Sequence, residues 1–113
     1  MLKIIENYKK IIIEYHITQF EQFGANLRFR ANITFVDHSI LYVRETVING
    51  KKRKYSYHWQ KTDGTVLIRW DNAPDWDIIT FPHHKHIGGQ IEPSYERTLD
   101  QVLSFITIRL DQK

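Results

Sequence analysis

The sequence predicts an α+β fold: an antiparallel meander sheet of about five strands, with an N-terminal and a C-terminal helix packed on one face. Helical periodicity is confined to the two ends of the chain, and apolar and polar residues alternate between them, punctuated by turn dipeptides. A length of 113 residues suits one hydrophobic core, so we expect a single domain covering residues 1–113.

The helices are predicted from apolar residues three and four positions apart. Such residues recur over positions 2–12, which predicts a short amphipathic helix at the start of the chain. A second apolar stripe runs over positions 99–110. Thr98 and Gln101 precede and enter that stripe with the spacing of a capping box, which predicts the beginning of the C-terminal helix.

The strands are predicted from alternation and from turns. Residues 27–35 alternate apolar and polar side chains, as in a half-buried strand. Asn49-Gly50 and Asp63-Gly64 are strong hairpin dipeptides because both residue types adopt positive φ at low cost, and Asp37-His38 is a weaker third turn. We therefore predict strands near 26–36, 39–48, 51–61 and 65–72, and a fifth near 12–22.

Tight turns also predict which side chains share a face of the sheet. The turn at Asp63-Gly64 pairs His58 with Arg69, and a two-residue turn at Asn49-Gly50 pairs Tyr42 with Tyr57. The predicted core face, covered by the helices, carries Phe29, Ile33, Phe35, Ile40, Tyr42, Tyr57, Trp59, Ile68 and Trp70.

The opposite face is predicted to be polar and to include Glu45. Leu41, Val43 and Leu67 are expected there among the charges, which indicates a surface covered in part by a partner, a substrate or the segment 73–91. The first strand is expected to place Ile13, Tyr15 and Ile17 on the core face, by means of an odd-length loop or bulge at residues 23–25.

Composition excludes several classes of protein. The absence of cysteine excludes disulfides, thiol catalysis and cysteine-based zinc sites. No apolar run approaches the roughly 18 residues of a membrane span, and the first ten residues lack the layout of a signal peptide, so we expect a cytoplasmic protein with no membrane contact. The net charge of +3 permits nucleic-acid binding without requiring it.

Residues 55–86 hold four of the six histidines and all three tryptophans, which predicts that the chemistry lies there. His58 is expected beside Arg69, with Asp71 one pair along. This arrangement would supply a general base, an anion-binding cation and an orienting carboxylate. The alternative is a structural histidine that is hydrogen-bonded to its strand neighbour.

The segment Phe81-Pro82-His83-His84-Lys85-His86 permits three interpretations. Its histidines could bind a metal with help from His58, could lie in a solvated loop, or could bind phosphate together with Lys85. Because Lys85 repels a cation, no metal site and no cofactor are predicted. The candidate catalytic residues are therefore His58, Arg69, Asp71, His83, His84 and His86.

Basic residues provide a candidate nucleic-acid surface. Lysines and arginines follow the Asn49-Gly50 turn, and others lie on the predicted sheet; such a run is otherwise a solvated hairpin tip. Trp59 and Trp70 are expected in the core, whereas Trp76 lies in a loop where it could stack on a base. The candidate nucleic-acid-binding residues are Arg28, Arg30, Lys52, Lys54 and Lys85.

Taken together, the clusters at 55–60, 69–74 and 81–86 resemble the TumE family of prokaryotic toxins, and Thr98-Leu99 followed by Val102-Leu103 is similar to its closing helix. The similarity covers most of residues 30–106. It implies the toxin of a type II toxin–antitoxin pair, inhibited by direct contact with a helix-turn-helix antitoxin. The chain departs from the family at Asp37-His38 and at residues 75–77, and the resemblance assigns no catalytic residues.

Three functions follow from these observations. The first is a metal-independent ribonuclease, in which His58, one of His83, His84 and His86, and Arg69 act on the RNA backbone. The second is a non-catalytic module that binds nucleic acid or protein. The third is a metal-dependent hydrolase built on the histidine-rich segment. A homo-oligomer is compatible with all three.

Overall fold

The structure is a computed structural model that describes residues 2–111. Helices stand at the two ends of this range and strands fill the region between them. In chain order the elements are α1 (Leu2–Glu6), β1 (Ile12–Phe23), β2 (Asn26–Phe35), β3 (Ile40–Ile48), β4 (Lys52–Gln60), β5 (Val66–Asp71), β6 (His84–Ile87), β7 (Gln90–Pro93) and α2 (Leu99–Asp111). No helix within residues 2–111 is long and apolar enough to cross a membrane.

The strands form one seven-stranded antiparallel sheet in chain order, β1 to β7. The α+β class and the meander are therefore confirmed, but the prediction of about five strands was too low. The two unpredicted strands, β6 and β7, have four residues each, which is too short for alternation to be recognised. They are joined by Gly88 and Gly89, both at positive φ, and this Gly-Gly dipeptide is a hairpin signal.

The predicted register between β4 and β5 is confirmed. His58 pairs with Arg69, Ser56 pairs with Asp71, and a single irregularity lies between Trp59 and Gln60. His58, Arg69 and Asp71 therefore share one face, as predicted.

The predicted register of β3 is wrong by one residue on both sides. Tyr42 pairs with His58 rather than Tyr57, because three residues rather than two separate β3 from β4. Ile40 pairs with Thr34 rather than Phe35. The two errors cancel for the other strands, so β3 is the strand whose side chains lie on the opposite face from the predicted one.

As a consequence, Leu41 and Val43 lie in the core, and Tyr42 lies on the polar side of the sheet. Leu41 is fully buried, Val43 is almost so, and Leu67 is half-buried against the core. The predicted aliphatic patch for a partner is therefore not on the polar face. Because the two faces of β3 are exchanged relative to the prediction, Glu45 lies on the core side and is buried.

Buried Glu45 is neutralised by Arg53. The Nη2 atom of Arg53 lies 2.7 Å from Glu45 Oε1, and the hydroxyl of Tyr57 also donates to that carboxylate. Arg53 further bonds Glu96 at 2.9 Å and the carbonyl of Arg97 at 2.9 Å. Burial, reinforced by Glu45, raises the pKa of Tyr57 far above its usual value. This network connects the β3–β4 hairpin to the segment before α2.

Strand β1 agrees with the prediction only in part. Tyr15 pairs with Ile33 and Ile17 with Ala31, so both face the core side, but they are 37% and 38% exposed because this end of the sheet is not covered. The register shifts of β1 lie at residues 12–14 and 17–19, not at the predicted 23–25, and Ile13 is exposed at the first of them.

Helix α2 covers the core face as predicted. Phe105 packs edge-to-face on Trp70 and Trp59, with ring centroids 5.5 Å and 6.5 Å away. Both tryptophans are buried, and each large side chain removed from water contributes roughly 1.5–3 kcal/mol. The capping box is present: the backbone N–H of Thr98 donates to Gln101 Oε1, and that of Gln101 donates to Thr98 Oγ1.

Candidate active site on the polar face

The polar face is the side of the sheet opposite α2. Three adjacent strands place one functional side chain each in a line across it: Arg69 on β5 pairs with His58 on β4 and with His86 on β6. We call this line the histidine row. Neighbouring strands are about 4.8 Å apart, so the two imidazoles are carried on backbones about 9–10 Å apart, with a guanidinium between them.

A second line lies two residues along the same strands, on the same face. Ser56 pairs with Asp71, and Asp71 pairs with His84. Asp71 and His84 are almost fully buried, with His84 Nε2 2.9 Å from Asp71 Oδ1. The other ring nitrogen, Nδ1, lies 2.9 Å from the carbonyl oxygen of Pro82. Because a carbonyl can only accept, Nδ1 carries the hydrogen of that bond.

Asp71 connects the two lines. Its Oδ2 accepts a 3.1 Å hydrogen bond from Arg69 Nε and lies 3.4 Å from His86 Nε2, while Oδ1 accepts from the backbone N–H of Ala73 at 3.0 Å. The side chains of Arg69 and His86 are 45% and 29% exposed, so they reach solvent while the carboxylate beneath them does not. Asp71 thus orients the two accessible groups.

Both accessible imidazoles favour their neutral form. Burial lowers the pKa of His58 and the Arg69 guanidinium lowers it further, while the hydrogen bond that Gln60 Oε1 accepts from His58 Nε2 opposes the shift. Burial also lowers the pKa of His86, with Asp71 opposing that shift and His84 adding to it. A neutral imidazole is the form that accepts a proton.

A hollow of about 450 Å³ brings the histidine row together with Trp76; we call it the histidine hollow. His58, Arg69 and His86 line it. The Trp76 ring stands 6.4 Å from the ring of His84 and 6.1 Å from that of His86, and it is 44% exposed. A partly exposed indole beside the row offers a flat surface on which a base can stack.

A second depression of about 740 Å³, the cationic groove, adjoins the hollow, and Arg69 and Asp71 line both. Apart from Arg53, which is paired with Glu45 and Glu96, its other cationic side chains form no ion pair with any residue in the range 2–111. Such cations are available to phosphate. They are Arg30, Arg44, Lys52 and Lys54.

The remaining predicted residues lie elsewhere. His83 stacks on Tyr55, whose hydroxyl is 2.9 Å from His83 Nδ1, so it is not part of the histidine row. Lys85 pairs with Trp70 and lines a hollow on the α2 side of the sheet, away from the cationic groove. Arg28 lies on the polar face but beyond the groove, opposite Thr46 and Glu21.

Sequence reasoning grouped the three histidines but did not distinguish among them. The missing information was strand β6, which places His84 and His86 on the polar face and separates them from His83. Two histidines at positions i and i+2, shortly before Gly88-Gly89, are the signal that predicts this arrangement.

The fold and the site define a small α+β protein with a histidine–arginine cleft on the open face of a meander sheet. The family model described as "Toxin TumE" matches residues 1–110, and the chain belongs to this toxin family. The resemblance seen in the sequence is confirmed, and membership implies an antitoxin partner. Neither the search of curated proteins nor the search of solved structures returned a match.

Proposed function

We propose that this toxin acts on RNA as a metal-independent ribonuclease whose acid and base are His58 and His86. The histidine row carries the proposal, because two imidazoles flank one guanidinium. Cleavage of RNA by its own 2′-hydroxyl needs a base for that proton, an acid for the leaving oxygen and a cation for the charge on phosphorus.

The steps balance without a metal or a redox partner. The 2′-oxygen attacks phosphorus while one neutral imidazole takes its proton. The bond from phosphorus to the 5′-oxygen then breaks as the other, protonated imidazole donates its proton to that oxygen. The products are a 2′,3′-cyclic phosphate and a free 5′-hydroxyl.

We assign the base to His58 and the acid to His86. His58 lies next to Arg69 and its Nε2 bonds Gln60 Oε1, an amide oxygen rather than a carboxylate, which suits a neutral acceptor. His86 has the Asp71 carboxylate 3.4 Å from Nε2, which stabilises an imidazolium once a phosphodiester lies over Arg69. Asp71 and the buried His84 act as positioning residues.

The cationic groove supports RNA as the substrate. Four cations without carboxylate partners line a depression that continues into the histidine hollow through Arg69. A single strand lying there would bring its backbone to the row and one base to Trp76.

We further propose that the partner is a helix-turn-helix antitoxin of a type II pair, acting in the cytoplasm, and that it covers the histidine-rich segment at 81–87. Three apolar side chains are exposed close to the site on the loop before β6: Trp76 at 44%, Ile79 at 91% and Phe81 at 56%. Clustered exposed apolar groups of this kind favour a protein contact. An antitoxin there would close the hollow.

The proposal is tested with purified protein and end-labelled single-stranded RNA, with and without a chelator. We expect cleavage in both conditions and 2′,3′-cyclic phosphate ends. His16→Gln is the matched control, because His16 is an exposed histidine on β1, outside the row. RNA binding without cleavage would indicate a binding module, and cleavage lost with chelator would indicate a metal-dependent hydrolase.

A further inference from the structure

Three side chains of the polar face direct metal-ligating atoms at one point. His84 Nε2 lies 2.9 Å from Asp71 Oδ1 and 3.1 Å from His86 Nε2, which in turn lies 3.4 Å from Asp71 Oδ2. Ligand atoms around a tetrahedral ion with bonds of about 2.0–2.1 Å are roughly 3.3 Å apart. The three residues therefore already have close to the spacing of ligands that share an ion.

The backbone fixes this convergence. His84 and His86 are two residues apart on β6 and so share a face, and Asp71 is the partner of His84 on β5. The Nδ1–H of His84 donates to the carbonyl of Pro82, so Nε2 is the ring nitrogen that remains to bind an ion. Histidines that bind metals are commonly held by such a carbonyl.

The surroundings leave room for an ion. Ala73 and Arg69 each donate to one oxygen of Asp71, but a carboxylate has about four lone-pair positions, so both oxygens retain one. His86 borders the histidine hollow, where a fourth ligand position is open to water.

The donor set selects the class of ion. Two imidazole nitrogens and one carboxylate oxygen, without thiolate, suit borderline divalent ions such as Zn²⁺, Co²⁺, Ni²⁺ and Cu²⁺ better than Mg²⁺ or Ca²⁺. We propose that Asp71, His84 and His86 form a binding site for a Zn²⁺-class ion, and that occupancy inhibits the toxin by removing His86 from the reaction. The inhibition, but not the binding, rests on the proposed function.

Binding is tested on metal-stripped protein without RNA, by calorimetric titration with Zn²⁺. We expect one ion per chain, and at least about 100-fold weaker binding in His86→Gln, whose side chain is partly exposed and should tolerate the change. His83→Gln is the matched control from the same segment and should bind normally. Equal affinity in His86→Gln and the wild type, or loss of binding in His83→Gln, would overturn the site.

A spectroscopic measurement locates the ion independently of activity. Bound Cu²⁺ should quench the fluorescence of Trp76, whose ring lies 6.1 Å from that of His86, while the buried Trp59 and Trp70 are on the other face. Trp76→Phe should abolish the quenching and retain the calorimetric binding. Quenching that persists in Trp76→Phe would place the ion elsewhere.

The inhibition is tested by RNA cleavage with and without stoichiometric Zn²⁺. We expect loss of cleavage with Zn²⁺ and recovery on adding chelator. Zn²⁺ binding by a protein that never cleaves RNA would leave the site standing and refute the proposed ribonuclease. Cleavage that requires Zn²⁺ would refute both the inhibition and the metal-independent mechanism.

Discussion

His84 Nε2 lies 2.9 Å from Oδ1 of Asp71, and both side chains are almost fully buried. A group that substrate cannot reach does not exchange protons with it directly. The pair instead holds the two accessible residues, because Asp71 also contacts Arg69 and His86.

Replacing Asp71 by asparagine should destabilise the protein. Asparagine keeps one acceptor oxygen where Asp71 uses two, so Arg69 Nε or the backbone N–H of Ala73 loses its acceptor, and losing such a charge-assisted hydrogen bond costs about 1.5–3 kcal/mol. Urea denaturation monitored by tryptophan fluorescence measures the loss. Asp77→Asn, at an exposed position in the loop that follows β5, should leave the midpoint unchanged. Equal stability of both variants would show that the buried carboxylate of Asp71 contributes nothing.

His58→Gln and His86→Gln should each lower RNA cleavage by about 100- to 10,000-fold, because each removes one proton-transfer group. Arg69→Gln should also abolish toxicity, since it removes the cation between them. Growth arrest in cells and single-turnover cleavage measure the effect, with unfolding curves as the control for folding. Full toxicity of these variants would refute the assignment, and unfolding of them would mean that the residues are structural.

Neutralising a groove arginine should weaken RNA binding and reduce its dependence on salt. Each phosphate contact on a single strand contributes about 0.7 to the slope of log affinity against log salt concentration. We expect that reduction for Arg30→Gln and for Arg44→Gln, measured by fluorescence anisotropy from low to high salt. Lys85→Gln, on the opposite side of the sheet, is the control, and an equal change there would place the RNA elsewhere.

Stability should fall in alkaline solution because of Tyr57. Its pKa in the folded chain is raised by burial and by Glu45, whereas in the unfolded chain it is about 10. The contribution of Tyr57 is therefore fully present below pH 10 and is lost as pH rises above it, by up to about 1.4 kcal/mol per pH unit. Chemical denaturation between pH 9 and 11 should show a smaller loss in Tyr57→Phe. If stability fell equally with pH in the wild type and in Tyr57→Phe, the raised pKa of Tyr57 would be contradicted.

Leu41→Ala should destabilise the protein by about 2–5 kcal/mol, because Leu41 is fully buried. Leu67→Ala should cost less, since Leu67 is only half-buried. Urea midpoints of the two variants decide between the observed register of β3 and the predicted one, in which both side chains lie on the polar face. A similar, small loss in both would favour the predicted register.

The sequence predicts correctly that His58 lies opposite Arg69, but it predicts the register of β3 wrongly by one residue. The turns at Asp63-Gly64 and Asn49-Gly50 explain the difference. Next to the turn, Gln60 pairs with Val66, one residue out of the register that a two-residue turn at Asp63-Gly64 gives. The irregularity between Trp59 and Gln60 corrects this, so that Trp59 pairs with Ile68 as predicted. The turn after β3 instead takes a third residue, since the N–H of Gly50 donates to the carbonyl of Ala25 at 2.7 Å and that of Asn49 to Asn26 Oδ1 at 2.8 Å.

The two acceptors, Ala25 and Asn26, lie at the junction of β1 and β2. The turn propensity of the Asn49-Gly50 dipeptide is a local property and does not include contacts with another turn. The same reasoning applies to His86. Its separation from His83 depends on the pairing of β6 with β5, and a local histidine pattern before Gly88-Gly89 does not identify which strand β6 pairs with.

The order of the elements also has a consequence for synthesis. Every strand pairs with its neighbour in the chain, so the pairings are local in sequence, which favours rapid assembly. The apolar face, however, is closed by α2, which follows all the site residues in the chain. At translation rates of about 5–20 residues per second, the ribosome needs roughly 1–4 s to proceed from His86 to Ile106. During that interval the nascent chain has its histidines and arginines but no sealed interior, so release from translation before α2 should yield a harmless, protease-sensitive fragment.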